Sequence, residues 1–413
     1  MKKCLACVLT LAVLLTSVVA VISVTAEDGS SSWGDVNGDG GVNLKDVLAL
    51  RRHVAGMEAL ANEAAGDLDF DGTINMKDVL LLRKFVAGMI DAPTMTEAEP
   101  TETGTTPTGA EPYRYNEDGE PVLTFLDGVD DCSLGVWWWQ VDDGQNERTR
   151  EKYLNFLEEN GTTEIYYYCV YDMVTSYGRQ TTHDFVLAAK EHGMKVVPLY
   201  DDVGMINGVE QCDVPVSKMI SMFKAYNETY PDAPLDMIHF DVEPHQVFQD
   251  KNIKHLTEKE LTLYAENFLG GIQALRESGI KVEAALNCTW NNYGGENVEF
   301  GGEKGIYNIC AKYLDSMCMM AYRDTAEDIM AIGQPGFDAA MKYGTRITYG
   351  IETGHYSFNK VEEEFAQESK EYMYTEFAKV FDALRDNHPS GGYGLAVHYH
   401  RTWLTMNKEA DLA

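Results

Sequence analysis

The sequence contains one internal repeat. Residues 34–57 (GDVNGDGGVNLKDVLALRRHVAGM) and 66–89 (GDLDFDGTINMKDVLLLRKFVAGM) match at an offset of 32 residues. Behind each polar loop, apolar residues recur at helical spacing. These residues are Val47, Leu48, Leu50 and Val54 in the first copy, and Val79, Leu80, Leu82 and Val86 in the second. The duplication therefore predicts two loop-then-helix repeats in a small all-α domain.

Both loops carry oxygen-bearing side chains at the spacing of an EF-hand-type cation site. Gly40 and Gly72 allow the sharp turn at loop position 6. The first set of candidate ligands is Asp35, Asn37, Asp39, Asn43 and Asp46 with the carbonyl of Gly41, and the second is Asp67, Asp69, Asp71, Asn75 and Asp78 with the carbonyl of Thr73. So many protein oxygens favour Ca²⁺ over Mg²⁺, which requires a tighter octahedral cage. We expect two calcium ions.

The pair of loops differs from ordinary EF-hands in two ways. Loop position 12 is Asp instead of Glu, and only the polar stretch from Glu27 to Trp33 precedes the first loop, leaving no room for an entering helix. With these features, residues 33–90 resemble a type I dockerin, the cellulosomal module that docks an enzyme onto the cohesin of a scaffold protein. The resemblance implies an exported protein of an anaerobic polysaccharide-degrading bacterium, two bound calcium ions and a cohesin partner.

The dockerin resemblance also implies which residues contact cohesin. They would be Leu44, Lys45, Met76 and Lys77, with Arg51, Arg52, Arg83 and Lys84 on the helices that follow. From the residues alone, these basic side chains could equally form a solvated helix face.

The N-terminus has the pattern of an export signal. Lys2 and Lys3 precede an apolar run from Leu5 to Val24, and small residues follow it up to Ala26. We therefore expect residues 1–26 to be a cleaved signal peptide and the mature protein to be secreted. An uncleaved membrane anchor is the alternative, because the run is long enough to span a bilayer.

Composition limits the partners and the redox chemistry. With 33 Lys and Arg against 66 Asp and Glu, the net charge of -33 repels nucleic acids and anionic membrane surfaces. Residues 91–118 are rich in Thr, Pro, Glu and Gly, and are predicted to be a flexible linker. The cysteines beyond the signal show no CxxC spacing and are interpreted as buried free thiols: Cys132, Cys169, Cys212, Cys288, Cys310 and Cys318.

Residues 121–413 alternate short apolar runs with longer amphipathic segments. The eight apolar runs are LGVWWWQV, EIYYYCVYD, KVVPLYDD, MIHFDVEP, KVEAALNCTW, SMCMMAYRD, RITYGIETG and YGLAVHYH. Eight strand–helix units predict an α/β fold, a closed (β/α)8 TIM barrel that follows the small calcium-binding domain. An open doubly wound sheet is the alternative, but the Gly-rich dinucleotide loop typical of it does not follow the first strand.

Polar residues interrupt the apolar pattern at the C-terminal ends of the later strands. Active sites of (β/α)8 barrels lie at these strand ends. On the fourth strand His239, Asp241 and Glu243 alternate with apolar residues, so a period of two points them into the barrel mouth. The same alternation points Glu352 inward on the seventh strand and His398 and His400 on the eighth. Tyr322 and Asp324 share one side after the sixth. An interior ion-pair layer that merely fills the barrel is the alternative interpretation.

These strand ends resemble two groups of barrel glycoside hydrolases. Asp241-Val242-Glu243, Met320-x-Tyr322 and a Trp after the eighth strand are similar to the chitinase-type hydrolases, whose longer motif is interrupted here at His239. Glu243-Pro244 with Glu352 resembles the large retaining-glycosidase clan, in which Asn usually stands at the position of Val242. Both resemblances imply hydrolysis of glycosidic bonds by carboxylates.

We therefore expect a secreted, cellulosome-attached glycoside hydrolase acting on polysaccharide. Glu243 is the predicted general acid/base, with Glu352 as first candidate for its partner and Asp241 with Tyr322 as second. The predicted substrate contacts are His239, Asp324, His398 and His400, and the indole rings of Trp137, Trp290 and Trp403, on which sugars could stack. The histidines could instead bind a metal with Asp241. A catalytically silent barrel that binds carbohydrate or protein is the competing hypothesis.

Overall fold

A computed structural model describes residues 33–54, 59–68, 74, 76–86, 111–245, 256–355 and 363–406. The chain divides into two compact units, with the boundary between Thr105 and Thr106. We call the described residues before this boundary the N-terminal unit and those after it the barrel unit. The predicted signal peptide, residues 1–26, lies outside the described residues.

The N-terminal unit contains two helices, α1 (Leu44–Val54) and α2 (Met76–Val86), with a 3-10 turn at Glu63–Ala65 between them. Its core consists of Val36, Val47, Leu50, Ala65, Leu68, Val79 and Leu82. Six of these residues form equivalent pairs at the 32-residue offset: Val36 with Leu68, Val47 with Val79, and Leu50 with Leu82. The duplicated pattern thus buries the same positions of both repeats in one core, as expected from the helical spacing.

The barrel unit contains eight parallel strands hydrogen-bonded in a closed ring. They are β3 (Cys132–Trp138), β4 (Glu164–Tyr167), β5 (Lys195–Tyr200), β6 (Met237–Phe240), β7 (Lys281–Asn287), β10 (Ser316–Met320), β11 (Arg346–Glu352) and β12 (Tyr393–His398). Seven of these strands fall within predicted apolar runs, and β3 begins two residues before its run, at Cys132. Because β12 pairs with β3, with Tyr393 opposite Cys132, the barrel is closed and the open doubly wound sheet is excluded.

Helices connect the barrel strands. They are α3 (Val141–Gln145), α4 (Glu147–Glu159), α5 (Ser176–Glu191), α6 (Val216–Thr229), α7 (Glu258–Leu263), α8 (Gln273–Glu277), α9 (Ile306–Tyr313), α10 (Ala326–Tyr343) and α11 (Lys370–Asp386), with α12 (His400–Thr405) after the last strand. The predicted (β/α)8 architecture is confirmed. Of the helices within the described ranges, none has both the length and the apolar character needed to cross a bilayer.

Two short antiparallel hairpins accompany the barrel: β1 (Tyr113–Tyr115) with β2 (Pro121–Leu123), and β8 (Glu299–Phe300) with β9 (Glu303–Lys304). The first hairpin begins inside residues 91–118, which were predicted to be linker. Tyr113 pairs with Leu123 and packs against the barrel core. The linker prediction is therefore wrong at its C-terminal end, because a tyrosine-bearing strand there buries apolar surface.

The barrel strands face two separate apolar layers. Ile238, Phe240 and Val242 belong to the large cluster between strands and helices. A smaller interior cluster contains Trp137, Tyr166, Val197, Leu199, Met237, Ala285, Cys318 and Ala396. This division follows the period-two alternation predicted for the fourth strand. The polar residues that alternate with these apolar residues along the chain therefore point toward the barrel axis.

The six cysteines of the barrel unit are all buried and unpaired. Burial raises the pKa of the Cys318 thiol, which lies among the interior side chains, well above its ordinary value. The interpretation of these residues as buried free thiols is confirmed.

Candidate active site

Polar and aromatic side chains from six strands gather at the C-terminal mouth of the barrel. They are Trp139 after β3, Asp201 after β5, Asp241 and Glu243 after β6, Tyr322 after β10, Glu352 at the end of β11 and His398 at the end of β12. Five of these were predicted from the sequence. Trp139 is one of the tryptophans at strand ends on which a sugar ring could stack. Asp201 was not predicted, although an acidic residue directly after an apolar strand is a signal that could have identified it.

Asp241 and Glu243 are the central pair. The Glu243 side chain is 18% exposed, and its Oε2 lies 3.8 Å from Nε2 of His245. Oδ1 of Asp241 is buried and has no hydrogen-bond partner among the described residues. Burial, and then the neighbouring carboxylate of Glu243, raise the pKa of Asp241 to about 7. The pair therefore takes up or releases a proton near neutral pH.

Both ring nitrogens of His398 form hydrogen bonds. The Nε1–H of Trp139 donates to Nε2 of His398 at 2.8 Å. Because an indole N–H can only donate, Nε2 accepts in this contact and Nδ1 carries a proton. Nδ1 then donates to Oε2 of Glu352 at 2.7 Å. Neither nitrogen is therefore available to bind a metal in this arrangement.

Glu352 is an anchor for this arrangement. Its side chain is 3% exposed, and its second oxygen, Oε1, accepts the backbone N–H of Gly354 at 2.6 Å. Both carboxylate oxygens of Glu352 are thus occupied by hydrogen-bond donors.

Two tyrosines add hydroxyl groups to the mouth. Burial, and then the charges of Glu352, Asp241 and Glu243, raise the pKa of Tyr322 well above its ordinary value, so its hydroxyl remains a donor. The Tyr168 hydroxyl donates to Oδ1 of Asp201 at 3.1 Å. Burial raises the pKa of Asp201 despite this hydrogen bond.

His239 lies beneath the mouth, inside the barrel, and is fully buried. Its Nδ1 is 2.8 Å from Oε1 of Glu283 on β7. The other oxygen of Glu283 is 3.2 Å from Arg346, which also pairs with Glu164 at 2.9 Å. This interior network resembles the ion-pair layer considered as an alternative, but it lies toward the base, where β11 begins. A substrate contact through His239 was predicted, and its complete burial contradicts that prediction.

The three tryptophans predicted to stack on sugar are buried. Trp137 is 1% exposed, Trp290 is 2% exposed and Trp403 is 0% exposed. Trp137 fills the barrel interior, close to Gly350, where an added Cβ would meet its ring at 3.0 Å. Trp290 packs on Tyr264, and Trp403 on Phe156. None of the three offers a free ring face, because each fills core volume.

His400 does not reach the mouth. β12 ends at His398 and α12 begins at His400, so the period-two alternation used to predict its direction stops. The fully buried His400 ring stacks on Trp138 at 4.2 Å, and its Nε2 lies 3.1 Å from Oδ2 of Asp143. The predicted substrate contact at His400 is therefore wrong. Asp324, also predicted to contact substrate, is 1% exposed.

The first predicted cation loop brings three carboxylates together. Oxygens of Asp35, Asp39 and Asp46 all lie within 4.8 Å of one another. Asp46 is fully buried and accepts the N–H groups of Asn37 and Asn43. Gly40 has a φ of +89°, the left-handed conformation expected at the sharp turn. These converging hard oxygens are the donor set that calcium prefers.

The second loop is described only in part. Asp69, Asp71, Thr73 and Asn75 lie outside the described residues, as does Gly72. Asp67 and Asp78 are described, and the fully buried Asp78 accepts the N–H of Leu68 at 2.6 Å. Of the predicted cohesin contacts, Lys45 and Arg52 are exposed and Arg51 is half-buried, while the side chains of Leu44, Met76, Lys77, Arg83 and Lys84 are outside the described set.

The N-terminal unit can be assigned by comparison. Residues 33–87 match the family model of the dockerin type I domain. This unit is a type I dockerin domain. The matched residues include both repeats and nearly coincide with the predicted range of 33–90. No curated protein matches the chain in sequence.

Solved structures resemble the barrel at low identity. An endo-β-N-acetylglucosaminidase from Cordyceps militaris has a TM-score of 0.37 and 13% identity, covering 69% of this chain and 86% of that chain. A monomeric β-xylosidase from Caulobacter crescentus CB15 has a TM-score of 0.40 and 10% identity, covering 64% of this chain and 59% of that chain. A sugar phosphate isomerase/epimerase from Parabacteroides distasonis ATCC 8503 has a TM-score of 0.36 and 12% identity, covering 66% of this chain and 90% of that chain. These proteins do not share one activity, and similarity at these values does not extend to function.

Proposed function

We propose that the barrel unit hydrolyses O-glycosidic bonds in a polysaccharide, with Glu243 as general acid. The observation that carries this proposal is the Asp241–Glu243 pair, in which Asp241 has a pKa of about 7 with Glu243 among the causes. Two carboxyl groups that share a proton near neutral pH can donate it to a leaving oxygen and stabilise the positive charge left on the sugar.

Glu243 is the better proton donor of the two because it is more accessible. Its side chain is partly exposed, whereas one oxygen of Asp241 is buried. In the proposed reaction, the Glu243 O–H donates its proton to the glycosidic oxygen as the bond to the anomeric carbon breaks. The Asp241 carboxylate and the Tyr322 hydroxyl hold a polar group of the sugar beside that carbon. A water molecule then forms a bond to the anomeric carbon and gives a proton back to the Glu243 carboxylate, which restores the acid.

The contacts of Glu352 favour a supporting role over an attacking one. Both of its oxygens accept hydrogen bonds, from Gly354 and from His398. A nucleophile needs a free oxygen facing the substrate. We therefore propose Asp241 as the partner of Glu243, the second of the two candidates from the sequence, and Glu352 as the residue that orients His398 and Trp139.

We further propose that the dockerin domain binds two calcium ions and a cohesin. The first loop fits calcium, because three carboxylates converge and two of them, Asp35 and Asp46, are buried. When bound, calcium would neutralise these charges and be held by Asp35, Asn37, Asp39 and Asp46. A secreted protein attached to a cellulosome through cohesin is the setting that this module and the predicted signal peptide support.

The test is a screen of the protein against a panel of polysaccharides, with detection of new reducing ends. A substrate that the wild type cleaves should be cleaved about a hundredfold more slowly by Glu243→Gln, which keeps the size of the side chain but cannot donate the proton. Glu277→Gln is the matched control, because Glu277 is exposed at the end of α8, at the opposite end of the barrel. Binding of a polysaccharide without any cleavage would favour the catalytically silent barrel instead.

A further inference from the structure

Four neighbouring strands each place one side chain at the mouth of the barrel. In the order of the ring, Trp139 directly follows β3, Tyr168 follows β4, Asp201 follows β5 and Asp241 follows β6. Each lies two positions beyond a residue of the barrel interior, so the period of two directs all four toward the axis. These interior residues are Trp137, Tyr166, Leu199 and His239.

Trp139 and Tyr168 form an aromatic surface over the interior cluster. Both pack against that cluster and remain partly exposed. Their ring centroids lie 5.5 Å apart, and the Tyr171 ring continues the surface at 5.6 Å from that of Tyr168. The backbone N–H of Tyr168 donates to the carbonyl of Trp138 at 3.0 Å, which holds the two residues side by side. Aromatic rings next to a few polar groups are typical of ligand sites, and the apolar face of a sugar ring can pack on them.

Asp201 lies between these rings and the catalytic pair. The Tyr168 hydroxyl donates to Oδ1 of Asp201 at 3.1 Å, and Asp201 is partly exposed. The backbone N–H of Asp241 donates to the carbonyl of Tyr200 at 2.9 Å, so Asp201 and Asp241 directly follow paired positions of β5 and β6. A carboxylate accepts hydrogen bonds from hydroxyl groups. The aromatic surface and the Asp241–Glu243 pair are therefore connected through a hydrogen-bond acceptor.

We propose that Trp139, Tyr168 and Asp201 form a subsite that binds a further sugar unit of the polysaccharide chain. The apolar face of this unit packs on the two rings, and its hydroxyl groups donate to the Asp201 carboxylate. Three steps between neighbouring strands separate β3 from β6, which is about 14 Å along the ring. A chain that reaches both ends of this arc contains more than one sugar unit. The inference deepens the proposed function and rests on it for the position of the cleaved bond.

The charges in this part of the mouth favour a neutral sugar chain. Asp201, Asp241 and Glu243 provide three carboxyl groups, and a uronic acid unit would bring another carboxylate beside them. Like charges placed together oppose binding. The guanidinium of Arg323, which follows Tyr322, pairs with Glu363 at 4.0 Å, so its charge is offset. The net charge of -33 also repels an approaching polyanion at longer range.

The experiment measures binding by isothermal titration calorimetry, with the full-length protein carrying Glu243→Gln to suppress turnover. The neutral probes are cellohexaose, xylohexaose, mannohexaose and the hexamer of N-acetylglucosamine, and hexagalacturonic acid is the anionic probe. At least one neutral probe should bind, and hexagalacturonic acid should bind at least about tenfold more weakly. On this background, Asp201→Asn should weaken binding of the neutral probe about tenfold, because a hydrogen bond to a charged group is lost. Tyr168→Phe should weaken it severalfold, since Asp201 loses the donor that holds it.

Tyr230→Phe is the matched control for Tyr168→Phe and should leave the affinity unchanged. The Tyr230 hydroxyl also donates to a polar side chain, Oε1 of Gln180, at 2.9 Å. Tyr230 follows α6, however, and packs in the layer between strands and helices. Tryptophan emission reports on the aromatic surface itself. A bound neutral probe should change the emission, and Trp139→Phe should abolish that change, because the other tryptophans of the barrel unit are buried.

Failure of all four neutral probes to bind would overturn the proposal. An unchanged affinity in folded Asp201→Asn or in folded Tyr168→Phe would also overturn it, as would an emission change that persists in Trp139→Phe. Equal affinity for hexagalacturonic acid would overturn the preference for neutral chains. These measurements do not require activity. A wild type that binds a neutral probe without cleaving it would refute the proposed glycosidase function, while the affinities of the variants would still decide whether the subsite exists.

Discussion

The Nε1–H of Trp139 donates a hydrogen bond to Nε2 of His398 at 2.8 Å, joining the first barrel strand to the last. This contact determines which nitrogen of His398 carries the proton. It also orients a half-buried indole ring, whose centroid lies 5.5 Å from that of Tyr168. Trp139 is therefore accessible from the mouth, whereas Trp137 is buried in the barrel interior.

Replacing Trp139 by Phe should remove one of the hydrogen bonds that hold the His398 ring. The indole donor to Nε2 is lost, while the contact between Nδ1 and Oε2 of Glu352 remains. We expect the nitrogen-15 resonance of Nε2 in His398 to shift in Trp139→Phe and that of Nδ1 to change little. Identical Nε2 resonances in the two proteins would contradict the hydrogen bond from the indole.

Asp241→Asn should reduce kcat by about a hundredfold or more while changing KM little. The amide resembles the protonated acid in shape but cannot become the carboxylate that stabilises positive charge on the sugar. The variant should also lose the ionisation near pH 7 from its activity profile. Asp236→Asn is the control. Asp236 directly precedes β6, and it pairs with Lys195 at 2.8 Å at the base of the barrel. Equal losses in both variants would indicate damage to the strand instead of to the chemistry.

Asp143→Asn should destabilise the barrel unit by about 1.5–3 kcal/mol at neutral pH, the range for hydrogen bonds to charged groups. Asp143 accepts hydrogen bonds from Arg401 at 2.6 and 2.9 Å and lies beside His400. Burial opposes its ionisation, but the hydrogen bonds with His400 and Arg401 hold its pKa well below the ordinary value.

The pH dependence of this effect has a definite sign. A carboxyl group whose folded pKa is depressed stabilises the protein above its unfolded pKa, about 3.9 for Asp. The stability difference between wild type and Asp143→Asn should therefore persist from neutral pH to about pH 4 and shrink below it. Urea unfolding at several pH values measures this difference. A difference that disappears already near pH 6 would assign the effect to His400.

Removing calcium should destabilise the dockerin domain and leave the barrel unit unchanged. Without the cation, the carboxylates of Asp35, Asp39 and Asp46 repel one another within a space of 4.8 Å. A ligand at about a thousand times its Kd contributes about 4 kcal/mol to stability, so the expected shift is large. Calorimetry of the full chain with calcium and with chelator should show one transition that moves and one that does not. An unaffected dockerin transition would remove the calcium proposal.

Asp46→Ala provides the matched variant for the calcium experiment. Asp46 supplies loop position 12 and accepts two backbone N–H groups of its own loop. Its loss should weaken the response to chelator. Lys45→Ala is the control, because Lys45 is exposed and pairs with Asp39 only at 3.5 Å.

The strands and their alternation could be predicted because they depend on local pattern. The inward direction of Glu352 followed from a period of two within β11, and that of Asp241 from the same alternation continued one residue beyond β6. His400 could not be assigned in this way, because the strand ends two residues earlier and a helix begins. The period holds only while the backbone remains extended.

Contacts between strands could not be predicted, since they depend on register around the ring. His239 lies opposite Glu283 because β6 and β7 pair with these two residues as partners, and a single sequence does not specify that register. A glutamate within the otherwise apolar fifth run was the signal that could have identified Glu283. The burial of Trp137, Trp290 and Trp403 was also undetermined, because a tryptophan after a strand can fill core volume or face a cleft.

The pairing of β12 with β3 determines when the mouth of the barrel is completed during folding. The Trp139–His398 hydrogen bond joins residues 259 positions apart in the chain, so it forms only after the intervening strands have been brought together. Contacts of such long sequence separation are formed slowly, because the chain must first lose the entropy of the enclosed segment. A nascent or truncated chain that lacks the last strand would have Asp241 and Glu243 but not the imidazole and indole beside them. The assembly of this mouth therefore coincides with completion of the fold, and a partly folded chain would have an incomplete mouth.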